Sequence, residues 1–222
     1  MNDVAQLLQK QNEPFLVWYP ELEYGYFPVD DYLATIGQSE TGIYDKAYFD
    51  KYKEYVCDDS NPINDARKAF VDKFVPGLVG ADVGIGCGTF VKSMGDHWYG
   101  FDVNPAGVEW LQQSQRYCNI YDTSRPPTIE VMTFWDSLEH IKDLQSLFEV
   151  LPKHVFVSLP IFSSDEDILA SKHFRKDEHF HYFTEPSFLR LFENHGYDCL
   201  DINDEESVLG RESIMSFYFK KS

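Results

Sequence analysis

An acid followed by three alternating glycines, Asp82-Val-Gly84-Ile85-Gly86-Cys-Gly88-Thr-Phe90, is the stretch of this chain best suited to holding a nucleoside ligand. Glycines in that pattern let the backbone take φ > 0 and let a ligand lie against the main chain, where a following helix would offer unpaired N–H groups. The spacing separates the cofactors. A dinucleotide turn asks for Gly-x-Gly-x-x-Gly, and Thr89 and Val91 stand where the third glycine would fall in the two possible registers. A plain strand-to-helix turn is the other reading of the stretch. Fourteen residues after Gly88, the β-type run Trp98-Tyr-Gly-Phe-Asp102 ends in an acid, and Val103-Asn-Pro105 leads into the next helix. At the end of the second strand of a nucleotide-binding α/β unit such an acid accepts hydrogen bonds from both ribose hydroxyls. It could instead cap the helix, although Asn104 is the better cap.

The elements around these residues alternate as an α/β fold requires. Tyr44, Tyr48, Tyr52 and Tyr55 recur at helical spacing, with Asp and Lys on the opposite face. Ala66, Phe70, Val71 and Phe74 predict a helix over 64–74, stopped by Pro76-Gly77. Gly77–Val83 reads as a strand, 90–94 as a helix, 98–102 as a second strand, 106–116 as a helix and 117–122 as a third strand. Strands are expected at 129–134 and 154–160, with a helix over 141–151 between them and a polar insertion over 162–176. Thr184 should cap a helix carrying Pro186 in its first turn, and 196–202 and 213–219 should be a final antiparallel pair. Before residue 44 the chain is an aromatic extension broken by Gly and Pro, with a short strand ended by Pro20. It serves as packing or as a lid.

Asp-x-Gly-x-Gly-x-Gly-x-Phe at 82–90 resembles motif I of class I S-adenosylmethionine (SAM)-dependent methyltransferases. The segment Ile129-Glu-Val-Met-Thr-Phe134-Trp135-Asp136-Ser-Leu-Glu139-His140 resembles motif IV of the subfamily that includes ubiquinone-pathway O-methyltransferases, with Ile129-Glu130 in place of Phe-Asp. The stretch His179-Phe-His181-Tyr-Phe183-Thr184 is similar to a His-x-x-Phe-Thr stretch of the same group. The resemblance covers roughly residues 44–220. It implies a doubly wound, Rossmann-like, mostly parallel seven-stranded sheet over 44–222, with 1–43 as an extension, and SAM as cofactor. In that family Asp82 helps to position the SAM ammonium, and Gly84, Ile85, Gly86 and Gly88 form the loop beneath it. Asp102 and Val103 would meet the ribose and adenine, Asp122 the adenine amino group, and Phe134 and Trp135 the cofactor from the fourth strand. Tyr48 and Tyr52 are candidates for a helix closing over SAM.

SAM's methyl is already activated, so the protein must align an acceptor and, for a weak nucleophile, take a proton. Asp136 and His181 are the candidate bases. His140 begins a helix beside the cleft, and Glu139 and His140 could equally be structural. Asp136, Glu139, His140 and a later His also resemble a divalent-metal arrangement of methyltransferases acting on ubiquinone precursors or RNA 3′ ends.

Composition bounds the partners. The 222 residues suit a single domain with an extension. Lys and Arg number 19 against 37 Asp and Glu, a net charge of −18, with no basic cluster, so autonomous nucleic-acid binding is disfavoured and a small-molecule substrate fits better. Neither a membrane-length apolar run nor a secretory leader pattern is present, and a cytoplasmic location is expected. Four scattered cysteines suggest neither a zinc knuckle nor a disulfide framework. A non-catalytic assembly module of the same fold remains the alternative from another class, and the sequence does not fix the oligomeric state.

Overall fold

The computed structural model describes residues 17–19, 24–27, 32–35, 47, 61–122, 127–175 and 178–222. Strands β1 (Val17–Tyr19), β2 (Tyr24–Phe27) and β3 (Tyr32–Thr35) come first. Helix α1 (Pro62–Phe74) follows, its first N–H groups bonded to the Asn61 side chain and its first position filled by proline. Next come β4 (Gly80–Val83), α2 (Thr89–Ser93), β5 (Trp98–Phe101) and α3 (Pro105–Gln113). β6 (Val131–Trp135) leads into a 3₁₀ turn (Leu138–His140), α4 (Leu144–Val150) and β7 (His154–Phe162). The chain ends with α5 (Asp165–Ala170), β8 (His181–Thr184), α6 (Glu185–Glu193), β9 (Tyr197–Asn203), α7 (Glu205–Val208) and β10 (Ile214–Lys221).

β5, β4, β6 and β7 pair in parallel, and β10 joins antiparallel between β7 and β9. With the isolated parallel bridge of Tyr117 to Gly100 beyond β5, this gives the seven-membered, mostly parallel, doubly wound order. Successive side chains take opposite faces, as strand geometry demands. Met132, Phe134, Val155, Val157, Phe217 and Phe219 enter a core with α4 and α6, whereas Val131, Trp135, Phe156 and Tyr218 enter a second core with α1 and α2. Both faces are therefore covered, which is why these strands read as nearly continuous apolar runs.

Four expectations need correction. The third strand over 117–122 shrinks to one bridge, because the Asn119 side chain accepts the Tyr121 N–H and turns the chain. The helix over 141–151 is split: the 3₁₀ turn ends at His140, and Asp143 caps a new helix through the Ser146 N–H. The polar stretch over 162–176 contains α5, capped by Ser164. The early aromatic segment contains β2 and β3 besides the expected short strand, and these form an antiparallel meander. β3 pairs with β8, which itself runs parallel to Ile161 and Phe162 at the end of β7. Leu33 is buried there with Phe162, Ile168 and Tyr182.

Candidate functional site

The parallel register sets Asp82 beside Thr133, on the face toward α1 and α2. Asp82 is almost wholly buried, and Thr133 Oγ1 donates to its Oδ1 at 2.7 Å. Burial raises its pKa to about 7, with the Thr133 bond and the field of Arg67 opposing. Gly84 then turns at φ +77 with Ser137 so close that a Cβ on the glycine would lie 2.6 Å from the Ser137 Cβ. Gly86, at φ +56, would aim its Cβ into open space, while Gly88 at φ +79 is shut in by the Trp110 ring. Of the three glycines, Gly86 is the one that leaves room for a ligand. Ile85 and Cys87 turn inward and are buried.

Asp102 follows β5 on the same carboxyl edge. It accepts the Asn104 N–H at 2.8 Å and is also bonded by the backbone of Ile85 and Val103, so it ties the loop to the start of α3. Burial raises its pKa and these N–H groups hold it down. Asn104, not Asp102, caps α3, by accepting the Ala106 N–H. Val103 is 71% exposed, an apolar side chain placed in the open beside the loop. Tyr121, whose ring meets Phe101 edge-on, is also exposed, and Asp122 lies just beyond it.

The third part of the edge is the turn after β6. Phe134 is fully buried in the core, and Trp135 packs edge-on against Phe90 with the Arg67 guanidinium 5.1 Å from its ring centroid. Asp136 takes φ +53 and accepts Arg67 Nη2 at 2.9 Å and Arg211 Nη1 at 2.7 Å. Burial pushes its pKa up, but the two guanidiniums outweigh that and hold it below the usual carboxylate range. Such an anion has low proton affinity. Glu206, buried on α7, accepts from both arginines and from Ser158, closing a four-charge cluster.

His181, the other candidate base, is buried on β8 with Nε2 2.8 Å from the Ile141 carbonyl, and burial lowers its pKa to about 4. The structure does not bring His181 to Glu139 and His140. It brings His179 instead: one ligand atom from each of Glu139, His140 and His179 lies within 4.8 Å of the others. Both Glu139 carboxylate oxygens are buried without a hydrogen-bond partner, and burial, with the nearby Asp136 charge, pushes its pKa well up. His140 Nδ1 is 2.9 Å from the Glu178 carbonyl, which can only accept, so Nδ1 carries the proton and Nε2 the lone pair. Burial keeps both imidazoles neutral, lowering His140 and bringing His179 to about 2. Asp136 stands apart, with its arginines.

Arg67, Arg211 and Glu206 were not singled out by the sequence, and His179 was read only as part of the stretch leading to Thr184. Arg67 carried a signal, since it lies within the apolar stripe of α1. Tyr48 and Tyr52 lie outside the described residues.

The layered sheet, the turn at its carboxyl edge and the acid after β5 define a Rossmann-like, doubly wound α/β protein. Residues 54–202 match the methyltransferase-domain family, and the chain belongs to it. Among solved structures, a SAM-dependent methyltransferase of Thermotoga maritima described as a possible histamine N-methyltransferase aligns with TM-score 0.56 at 10% identity, over 79% of this chain and 97% of that one. The magnesium protoporphyrin IX methyltransferase of Synechocystis with bound S-adenosylhomocysteine aligns with TM-score 0.52 at 14% identity, over 84% and 90%. The Burkholderia thailandensis 1,6-didemethyltoxoflavin N1-methyltransferase, with its substrate and S-adenosylhomocysteine bound, gives 0.51 at 14%, over 86% and 96%. At these identities the likeness is one of fold. No curated protein sequence matches. Among the described residues, no helix is long and apolar enough to cross a membrane.

Proposed function

We propose that this chain transfers a methyl group from SAM to an oxygen, nitrogen or carbon atom of a small molecule. The observation that carries the reading is the open space at Gly86, in the turn that follows the buried Asp82 and whose Ile85 backbone is bonded to Asp102, next to the exposed Val103. In this reading Asp82 faces the SAM ammonium, Gly84 to Gly88 underlie its amino-acid part, Asp102 takes the ribose hydroxyls, and Val103 packs on adenine. The solved relatives named above act on chemically different small molecules, and the strongly acidic chain suits a small acceptor better than a polyanion.

SAM and S-adenosylhomocysteine, but not NAD, are expected to raise the melting temperature. At about 100 times the dissociation constant a ligand stabilises by about 2.7 kcal/mol, and each kcal/mol is worth about 2–4 °C in a chain of this size. A shift with NAD and none with SAM refutes the reading. Asp102→Ala should weaken SAM about ten- to a hundredfold, since losing hydrogen bonds to a charged group costs roughly 1.5–3 kcal/mol. Calorimetric titration of the folded variant measures this, and wild-type affinity there would remove the ribose from Asp102.

One observation favours a more specific version of the reaction. Glu139, with both oxygens buried and unpartnered, stands beside two neutral imidazoles, a donor set fit for a divalent transition-metal ion. Such an ion, held by Glu139, His140 and His179, would lower the pKa of an acceptor hydroxyl. In metal-free protein, Mn²⁺ or Zn²⁺ should then raise the melting temperature in the wild type and not in His179→Ala. Equal shifts in the two would show that the ion binds elsewhere.

A further inference from the structure

Resting on the SAM reading, we propose that Arg67 and Arg211 are positioning residues for the cofactor loop, holding Asp136 in the left-handed turn that sets Ser137 against Val83 and Gly84. Ser137 Oγ donates to the Val83 carbonyl, and the bare Cα of Gly84 is what lets the Ser137 side chain come so close. The loop is thus seated on the residue that follows Asp136. Where Ser137 sits is decided by the conformation of Asp136.

That conformation is an uncommon one. Among the described non-glycine residues only Gln115, Asp136 and Ser213 have positive φ, and Asp136 is the one at the carboxyl edge of a central parallel strand. Aspartate tolerates this region better than most residues, but it needs surroundings that hold it there. The Asp136 N–H is fixed to the Ser158 carbonyl at 2.8 Å, and its carboxylate is gripped from two directions. Arg67 comes from α1, ahead of the loop in sequence, and Arg211 from the segment before β10. Both arginines are anchored on Glu206, itself buried and bonded to Ser158, so the grip is rigid and the cluster electrically balanced. Arg67 also lies over Trp135, the residue on the other side of Asp136. Burying four charges is costly, and replacing them with apolar groups would often be neutral for stability. Here each charge has a geometric task.

The test is the SAM affinity of folded variants, read by calorimetry with circular dichroism as the fold control. Glycine takes φ +53 freely and asparagine nearly so, whereas valine is a true outlier there. Asp136→Gly and Asp136→Asn should therefore bind SAM within about threefold of wild type, and Asp136→Val at least about tenfold more weakly. Arg211→Met should weaken binding, and adding Asp136→Gly to it should restore the affinity, because a glycine turn needs no guanidinium to hold it. Arg211→Met with Asp136→Val restores the charge balance equally and is the control: it should stay weak, whereas rescue there as well would mean that charge balance and not the turn is at work. Wild-type affinity in Asp136→Val, or equal losses in the Gly and Val variants, overturns the proposal. Should Arg211→Met fail to fold, the Gly and Val comparison, made with both arginines intact, still decides. Wild-type protein that binds no SAM would refute the cofactor reading itself, an outcome distinct from any difference among the variants.

Discussion

Gly86→Val should remove most SAM binding in a protein that keeps nearly all its stability, while Gly88→Val, two residues along the same loop, should be strongly destabilised. The two glycines share a left-handed backbone, so both substitutions carry a conformational cost on the order of 1–3 kcal/mol. Their surroundings separate them. A Cβ at Gly88 meets the Trp110 ring at 2.6 Å, and that ring packs against the α2 core and cannot swing clear as the end of a flexible chain would. Overpacking adds about 1–3 kcal/mol, bringing the total to roughly 2–6 kcal/mol against a typical domain stability of about 5–15 kcal/mol. A Cβ at Gly86 meets nothing within 4 Å, so the empty protein bears only the backbone cost. The added isopropyl group then stands where SAM must lie. The expected loss of affinity exceeds about a hundredfold, or about 2.7 kcal/mol. Thermal melts and calorimetric titration of both variants measure this; a Gly86→Val protein that binds SAM normally would place the cofactor elsewhere.

The placement of the residues proposed to hold the cofactor was legible in the sequence because it is local. Asp82, Gly84, Gly86 and Gly88 follow one another on a strand and its turn, and Asp102 ends the next strand, so spacing alone sets them along one sheet edge. The groups proposed for the acceptor side come from distant segments. Whether His179 or His181 reaches Glu139 depends on where β8 begins. Strand geometry buries His181 among its neighbours, while His179, just before the strand, meets the His140 ring edge-on at 4.5 Å. Arg67, Asp136, Glu206 and Arg211 converge across up to 144 positions of sequence, and only the pairing of β10 with β7 brings the last two to the edge. The third strand was misjudged for a local reason. A short run at the sheet edge, with aromatic residues only at Tyr117 and Tyr121, has few tertiary contacts to enforce pairing, and Asn119 in the middle can turn the chain instead. The early strands were masked by glycine and proline, which an antiparallel meander tolerates better than a central parallel sheet does.

Replacing the buried acid of the loop should improve stability at the expense of binding, with a pH signature that identifies the group. Asp82 is surrounded by apolar side chains, one donor from Thr133, and the more distant charges of Arg67 and Asp102. Its folded pKa, about 7, lies above the unfolded value of 3.8. Folding therefore favours the protonated form: the neutral carboxyl's contribution is fully present below pH 3.8 and is lost progressively as pH rises to about 7, after which the penalty is constant. About three pKa units correspond to roughly 4 kcal/mol. Asp82→Asn keeps an acceptor for Thr133 and never ionises, although its amide N–H groups recover some of the penalty by lacking partners. The ligand-free variant should exceed wild type by about 2–4 kcal/mol at pH 8, and by less than half as much at pH 5. Binding should move the other way. The SAM ammonium prefers a carboxylate, so wild-type affinity should climb with pH up to about 7 and level off, while the variant binds weakly with no such rise. Denaturant unfolding and SAM titrations of both proteins between pH 5 and 8 provide the comparison. A stability difference that does not change with pH would mean that Asp82 is ionised throughout that range, and that its negative charge is balanced in the empty protein.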